Sequence, residues 1–237
     1  MSHPDARRLD WAAVDTVLLD LDGTLLDLAF DNDFWLELIP SVYAREKGLT
    51  LEDARNLLAP RFRAREGTLD WYCIEYWSRE LGLDIPALKR AQAQRIRWLP
   101  GAREFLHALR SLGKRRVLLT NAHPETLRIK DEHTGVTAHF DAVFSSHTFG
   151  APKEDPRFWQ AVRAAERFDP LRTLFVDDSP AVLRAARGAG IRWIYGVRLP
   201  DSVRGKREHT EFPAVDAVLE LLGDAAPDAA GGRTAAV

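Results

Sequence analysis

The segment LLDLDGTLLDLAFDNDFW, from Leu18 to Trp35, runs from an apolar stretch into a group of carboxylates without any Lys or Arg. Residues 16–21 predict a buried strand, and Asp20 and Asp22 lie at its carboxyl end. Ionised carboxylates in such a place repel one another and lose hydration, so they need a compensating cation. Since Mg²⁺ binds carboxylates together with substrate phosphate, we expect a magnesium site here.

Similar short apolar runs recur along the chain, and each is followed by a helical pattern. This alternation is typical of a parallel sheet covered by helices, so the sequence predicts an α/β fold. Between the first strand and Pro100 the pattern changes to helices alone. The other predicted strands are 116–120, 142–145, 173–176 and 191–195, and the predicted helices of this interval are 32–47, 51–65, 69–81 and 85–97.

The helical interval is interpreted as an inserted cap. It is rich in aromatic residues, which suffice for a small hydrophobic core of its own. We therefore expect an α/β core of residues 1–27 and 99–222, and an α-helical cap of residues 28–98. The tail, residues 223–237, is rich in Gly and Ala and is expected to be disordered.

The composition argues against several classes of partner. The chain has 237 residues, 46% of them hydrophobic, and a formal net charge of -2, so it has no broad basic surface for nucleic acid polymers or membranes. With one cysteine, Cys73, it cannot form an intramolecular disulfide, and its N-terminus lacks the apolar segment of a signal peptide. We expect a cytoplasmic protein that acts on small molecules; its oligomeric state is left open.

Three further segments carry polar side chains suited to the same sheet edge. Asp177 and Asp178 follow the apolar run TLFV and can complete a metal site. Thr120 and Asn121 end another strand and offer a hydroxyl and backbone N–H groups to a phosphate. Lys153, in the turn GAPK, can neutralise charge on the nucleophile and the phosphate.

The motifs DLDGT, LLTN, PK and VDD occur in this order on predicted strand ends. Together they resemble the four signature motifs of the haloacid dehalogenase (HAD) superfamily, most of whose members are Mg²⁺-dependent phosphatases. The resemblance implies a Rossmann-like core with a parallel sheet and a helical cap of the C1 type, inserted after the first motif. It also implies one Mg²⁺ per site, for which Mn²⁺ can substitute.

The same resemblance implies a role for each motif residue. Asp20 is the nucleophile that forms an aspartyl-phosphate, and Asp22 is the general acid and base. The implied Mg²⁺ ligands are the Asp20 and Asp177 carboxylates and the Asp22 backbone carbonyl, with Asp178 either ligating or orienting the others. Thr120, Asn121 and Lys153 bind the phosphoryl group, Lys153 also being catalytic. Because the dehalogenases of the superfamily usually lack the second aspartate, Asp22 favours a phosphatase.

A closer resemblance, to the bacterial GMP/IMP nucleotidase branch, rests on segments that include the cap. They are DTVLLDLDGTLLDLAFDNDFW, WYCIEYWSRELGLDI, LLTNAHPETL, EHTG and HTFGAPKED. This resemblance implies that purine nucleoside 5′-monophosphates, GMP and IMP, are hydrolysed to nucleoside and phosphate. The alternative substrates are sugar phosphates, phosphoglycolate and pyrimidine nucleotides. A receiver-like phosphoaspartate signalling module would carry its acidic motifs in the opposite order.

Several cap side chains are candidates for recognition of the leaving group, namely Asp31, Asn32, Trp35, Arg63 and Tyr72. Cys73, Trp77 and Leu81 instead recur at helical spacing and predict a stripe that faces the cap core. For His123 and His147 we expect loop hydrogen bonds or capping rather than catalysis. Zinc is not indicated by the sequence.

Overall fold

The computed structural model of this chain describes residues 9–225, and in these residues a six-stranded parallel sheet forms the core. The strands are β1 (Thr16–Leu19), β2 (Arg115–Thr120), β3 (Ala142–Ser145), β4 (Thr173–Asp177), β5 (Trp193–Val197) and β6 (Ala214–Val215). Their order across the sheet is β3-β2-β1-β4-β5-β6. The predicted α/β, Rossmann-like fold is confirmed, and the two-residue β6 is an addition to the five predicted strands.

Eleven α-helices accompany the sheet within the described residues. Six of them lie in the cap interval that follows β1. The first six are α1 (Ala29–Asp33), α2 (Ile39–Lys47), α3 (Leu51–Arg63), α4 (Leu69–Tyr72), α5 (Ile74–Leu81) and α6 (Ile85–Ala91). The others are α7 (Ala102–Ser111), α8 (Pro124–Thr134), α9 (Ser146–Phe149), α10 (Pro156–Ala165) and α11 (Pro180–Gly188). No helix in residues 9–225 has the length and apolar character needed to span a membrane.

The central strand β1 is buried on both faces of the sheet, which explains its unbroken apolar sequence. Val17 and Leu19 belong to the larger hydrophobic cluster on one face, and Leu18 belongs to the cluster on the other face. Side chains alternate between the faces of a strand, so helices must cover both. The strand therefore ends inside the molecule, and the residue after it is buried as well.

Helices α2–α6 contribute to a further hydrophobic cluster, in which Trp77 is 2% exposed. The Trp77 ring packs edge-on against Phe62, with ring centroids 5.0 Å apart, and its indole N–H donates to the Trp71 carbonyl over 2.9 Å. Edge-to-face aromatic pairs add to the stabilisation from burial. The cap thus has an aromatic core of its own.

Two of the predicted cap helices are interrupted. The predicted helix 69–81 breaks at Cys73, whose extended backbone and sulfur cap the start of α5. The predicted helix 85–97 ends at Ala91, and a short 3₁₀ turn, Ala93–Arg95, follows it. Between α1 and α2, Phe34–Leu38 form a π-helical turn, a feature that is frequent at functional sites.

The chain enters and leaves the cap through two neighbouring segments. The amide of Asp27 donates to the carbonyl of Arg97 over 2.9 Å, and the amide of Leu99 donates to the carbonyl of Leu25 over 2.8 Å. The predicted boundaries after residues 27 and 98 lie at this paired connection and stay a prediction. Of the predicted tail, residues 226–237 lie outside the described part of the chain, whereas a kinked 3₁₀ segment, Val218–Ala225, extends into its first three residues.

The aromatic cluster of the cap can be tested by mutation. Trp77→Ala should lower the free energy of unfolding by about 3–5 kcal/mol, because it leaves a cavity among aromatic rings. Leu57→Ala is the control, since Leu57 is 50% exposed on α3 and its truncation should change stability by less than about 0.5 kcal/mol. Urea unfolding followed by circular dichroism measures both, and equal losses would contradict a separate cap core.

Candidate active site

Three buried carboxylates meet at the carboxyl ends of β1 and β4. Asp20 directly follows β1, Asp177 ends β4, and Leu19 is in register with Val176. The Asp20 amide donates to the Val176 carbonyl over 3.0 Å. One carboxylate oxygen from each of Asp20, Asp177 and Asp178 lies within 4.8 Å of the other two. Neighbouring parallel strands therefore place the two predicted acidic motifs side by side.

The Lys153 ammonium lies between two of these carboxylates. It donates to Oδ1 of Asp20, to Oδ2 of Asp177 over 2.7 Å and to the Leu119 carbonyl over 3.2 Å. Asp178 instead accepts from the Arg207 guanidinium over 2.8 Å. Lys153 is 2% exposed, so its charge acts in a medium of low dielectric constant.

Burial and mutual repulsion shift the titration of these groups. Burial raises the pKa of Asp20 to about 7 against the opposing charge of Lys153, and the nearby carboxylates act in the same direction as burial. Burial likewise raises the pKa of Asp178 to about 7 and that of Asp177 to about 6. For Lys153, burial acts to lower the pKa, but Asp177 and Asp20 outweigh it and raise the pKa above its usual value. Three carboxylates face one ammonium and one guanidinium, so the cluster still lacks one positive charge when all three acids are ionised.

The donor set fits a hard divalent cation. All three side chains offer oxygen, and three carboxylates beside one ammonium and one guanidinium leave an excess of negative charge. Mg²⁺ and Mn²⁺ prefer such ligands. The Asp22 carboxylate is outside this cluster and is bound elsewhere, so any ligation by Asp22 would use its backbone carbonyl, as predicted.

Gly23 of the DLDGT motif packs against the carboxylate cluster. Its φ is +88°, a left-handed conformation that favours glycine. A Cβ atom here would lie 2.8 Å from Cγ and from Oδ2 of Asp178. The glycine is therefore needed both for the turn and for the close approach of the two strand ends.

The predicted phosphate-binding residues lie on the next strand, β2. The Thr120 hydroxyl oxygen accepts from the Ala122 amide over 3.0 Å, which leaves its hydrogen as the group to offer a phosphate. The Asn121 side chain accepts from the Lys153 amide over 2.9 Å and donates to Glu154 over 3.0 Å. The Asn121 side chain thus holds the loop that carries Lys153. The backbone N–H of Asn121 is the group suited to bind phosphate.

A cavity of about 420 Å³ lies between core and cap, within the usual size of small-molecule pockets. Of the cap candidates, Arg63 lies exposed on α3 and does not line this cavity, contrary to its predicted role. Asn32 lines it, with its side-chain amide donating to Asp201 over 2.6 Å. The other predicted site residues in its wall are Asp20, Asp22, Asp31, Trp35, Tyr72, Thr120, Asn121, Lys153, Asp177 and Asp178.

Two buried lysines in the cavity wall were not predicted. Lys130 of α8 donates to Asp22 over 2.6 Å and to Asp31 over 2.5 Å, and Lys89 of α6 donates to Asp31 over 2.7 Å. The burial of Lys89 could have been predicted from helical spacing, because Lys89 lies four residues after the buried Ile85 and therefore on the same face of α6. The chain Asp22–Lys130–Asp31–Lys89, here called the charge chain, joins core to cap.

The charge chain shifts the pKa of its members in different directions. Burial raises the pKa of Asp22, although Lys130 opposes this shift. Burial also acts to raise the pKa of Asp31, but Lys130 and Lys89 outweigh it and hold the pKa below the usual value. Burial acts to lower the pKa of Lys130, which the two carboxylates nevertheless raise. Asp31 is therefore an ionised anchor, and Asp22 is the carboxyl that can carry a proton.

A second contact between cap and core involves Glu154, also unpredicted. The Tyr72 hydroxyl donates to its carboxylate over 2.7 Å, so a cap candidate is bound to the residue next to Lys153. His123 accepts from the Glu125 amide over 3.3 Å, which confirms its predicted capping role. Cys73 is only half-buried and lies near His123 and His147, so it does not pack in the core as predicted.

Comparison with protein families identifies the hydrolase class. A model of the haloacid dehalogenase-like hydrolases matches residues 14–190. The chain belongs to this family. A GMP/IMP nucleotidase of Escherichia coli, YrfG, is 47% identical over 212 residues, which cover 90% of this chain and 96% of that protein. The hydrolase is thus an enzyme of the phosphoric monoester hydrolase class, and its predicted resemblance to GMP/IMP nucleotidases is confirmed.

Two further comparisons bear on relatives and fold. A phosphoglycolate phosphatase of Nitrosospira multiformis is 33% identical over 192 residues, covering 75% of the hydrolase and 80% of that relative. The crystal structure of a HAD phosphatase from Thermococcus onnurineus aligns with a TM-score of 0.77 at 21% identity, covering 90% of this chain and 98% of that chain. The structural likeness supports the family's fold.

The raised carboxylate pKa values predict how stability depends on pH. Without metal, the folded protein holds protons between pH 3.8 and about 7 that the unfolded chain has released. The contribution of these carboxyl groups to the free energy of unfolding is therefore full below pH 3.8 and is lost as the pH rises through 7. Asp178→Asn cannot ionise and should reduce the loss, as measured by urea unfolding in EDTA across this interval. Exposed Asp70→Asn is the control and should keep the wild-type slope; an unchanged slope in Asp178→Asn would contradict the prediction.

Proposed function

We propose that this hydrolase removes phosphate from purine nucleoside 5′-monophosphates, GMP and IMP, to give nucleoside and phosphate. The observation that carries the proposal is 47% identity to a GMP/IMP nucleotidase over 90% of the chain, cap included. The cavity supports it, because carboxylates and Lys153 lie at its core side and aromatic side chains at its cap side. A cytoplasmic location belongs to the proposal, since a single cysteine suits a reducing compartment.

In the proposed first step, an Asp20 carboxylate oxygen attacks phosphorus. The bond from phosphorus to the 5′-oxygen breaks, Asp22 gives that oxygen its proton, and the nucleoside leaves an aspartyl-phosphate behind. In the second step Asp22 accepts a proton from a water molecule that attacks phosphorus, and the bond to Asp20 breaks. The raised pKa of Asp22 suits a group that must first donate a proton and then accept one.

The phosphoryl group needs compensation of its charge. Lys153 already bonds to Asp20 and is positioned to neutralise the attacking carboxylate and the phosphoryl oxygens, while the Thr120 hydroxyl and the Asn121 backbone N–H donate to those oxygens. Asp20, Asp177 and Asp178 would hold Mg²⁺, or Mn²⁺ in its place. When bound, the ion supplies further positive charge beside the phosphate.

The cap side of the cavity suits a purine base. Trp35, Trp71 and Tyr72 line it and present aromatic surface for stacking. Glu66 also lines it, and a carboxylate accepts the N1–H that guanine and hypoxanthine share and adenine lacks. Phosphoglycolate is the second candidate substrate, on the strength of the relative with 33% identity.

Phosphate release from a substrate panel tests the proposed function. GMP and IMP should be hydrolysed faster than AMP, UMP, phosphoglycolate and a sugar phosphate, with Mg²⁺ but not with chelator. Asp20→Asn should lower turnover about a thousandfold or more, because an amide cannot attack phosphorus. Asp15→Asn is the matched control at the exposed start of β1 and should retain activity.

The outcomes separate substrate from chemistry. Mg²⁺-dependent release that is fastest with phosphoglycolate or a sugar phosphate would refute the purine assignment and leave the catalytic roles in place. Near-normal release by Asp20→Asn would refute the nucleophile. Chelator-resistant release would refute the metal requirement.

The two buried lysines form a matched pair for testing the role of Asp22. Both lysines bind Asp31, but only Lys130 also contacts Asp22. Lys130→Met should lower kcat about a hundredfold and move the alkaline limb of the kcat profile to higher pH, since Lys130 opposes the raised pKa of Asp22. Lys89→Met should move that limb less, since Lys89 acts on Asp22 through its charge alone and has the smaller effect, and Lys130→Arg should restore activity. Identical pH profiles for both Met variants would refute this role.

A further inference from the structure

A cluster of nitrogen and sulfur ligands lies at the junction of cap and core, outside the lining of the cavity. Cys73 comes from the cap, and His123 and His147 come from the core. Each side chain offers one potential ligand atom, and the three atoms lie within 4.8 Å of one another. None of these residues has a part in the proposed reaction.

The order of the strands brings the two histidines together. His123 follows β2 and caps α8, while His147 lies in α9 directly after β3. Because β2 and β3 are neighbours, with Thr120 in register with Ser145, the two rings stand 4.9 Å apart at 76° to one another. The break between α4 and α5 then places the Cys73 sulfur beside them, at the helix end that favours negative charge.

The state of both histidines suits metal binding. Nε2 of His147 is buried and has no hydrogen-bond partner in the described structure, which is a costly state for a ring nitrogen. Burial and the neighbouring His123 lower the pKa of His147 to about 4, and burial lowers that of His123. Both imidazoles are therefore neutral at physiological pH, the form in which histidine binds metal ions.

His123 must change its tautomer if it is to coordinate a metal ion through Nε2. Its Nδ1 accepts from the Glu125 amide over 3.3 Å, a long hydrogen bond, so the neutral ring carries its proton on Nε2. Coordination at Nε2 moves this proton to Nδ1 at the expense of that hydrogen bond, and the Cys73 thiol releases its proton as it becomes a thiolate ligand. With three ligands from the protein, a water molecule can take the fourth coordination position.

The chemistry of these ligands selects the ion. One thiolate and two imidazoles suit Zn²⁺ and similar transition metals, whereas Mg²⁺ prefers oxygen. Tetrahedral coordination at ligand distances of about 2.0–2.3 Å needs ligand atoms roughly 3.3–3.8 Å apart, a contraction that side-chain rotation can provide. We propose that Cys73, His123 and His147 form a binding site for Zn²⁺ or a related transition-metal ion.

Occupation of this site joins cap to core. Cys73 directly follows Tyr72, which lines the cavity, so the ion holds this wall of the cavity against the core. Substrate entry and product release require the cap to move, and an ion that bridges the junction should slow them. The binding site itself does not depend on the proposed function; its effect on turnover does.

Cobalt is the probe for the test, because a cobalt thiolate has a charge-transfer absorption. Reduced protein with saturating Mg²⁺ is titrated with Co²⁺, and one equivalent should produce the band, which Zn²⁺ then abolishes. Cys73→Ser should lose the band, and His147→Gln should weaken Co²⁺ affinity at least about tenfold. His139→Gln is the matched control, since His139 lies 5.5 Å from His107 in a second histidine pair, and it should bind like wild type.

A second measurement does not depend on absorption or on substrate. Zn²⁺ should raise the Tm of the wild type and of His139→Gln and leave that of Cys73→Ser unchanged, circular dichroism first showing that each variant is folded. Absence of the cobalt band in the wild type, or unchanged Co²⁺ affinity in His147→Gln, would overturn the proposal. In turnover assays with saturating Mg²⁺, equal Zn²⁺ inhibition of wild type and Cys73→Ser would overturn the effect on the cap.

Discussion

The site depends on the buried ion pairs of Lys153 with Asp20, which follows β1, and with Asp177, which ends β4. Parallel strands end at one edge of the sheet, so two short acidic motifs far apart in sequence meet there. The Lys153 ammonium and the Arg207 guanidinium cannot balance all three carboxylates, and burial strengthens the repulsion between them. The fold thus retains a localised excess of negative charge, which suits a protein that binds a cation and then receives a phosphoryl group.

Polar contacts connect the cap to this edge, beside an apolar contact in which Phe30 of the sheet's hydrophobic cluster packs on Phe34 of the cap, with ring centroids 6.4 Å apart. The charge chain and the Tyr72–Glu154 hydrogen bond cross the junction. Polar contacts of this kind can exchange with water when the cap opens, at a small net cost in free energy. Lys130 bonds to both Asp31 and Asp22, so the position of the cap and the environment of the proposed acid are coupled.

The sequence predicts those parts of the site that depend on strand ends. Asp20, Thr120 and Asp177 follow apolar runs, and their meeting at one edge is a consequence of parallel topology. Burial of Lys130 depends on which helix face meets the cap, and the position of Arg63 outside the cavity lining depends on helix facing in the same way. The sequence does not predict the break at Cys73, because Trp77 and Leu81 have helical spacing whether residues 69–81 form one helix or two. A sulfur that caps a helix leaves no periodic pattern in the sequence.

The same topology sorts ligand atoms by chemical type along one sheet edge. The central strands β1 and β4 end in carboxylates, whereas the segments after β2 and β3 carry His123 and His147. Hard cations prefer the oxygen cluster and borderline transition metals prefer nitrogen and sulfur, so two ions can be discriminated by neighbouring groups without any difference in cavity size. Because the sulfur comes from the cap and all three carboxylates come from the core, the oxygen cluster can stay assembled when the cap opens, whereas the nitrogen and sulfur cluster can form only when the cap is closed.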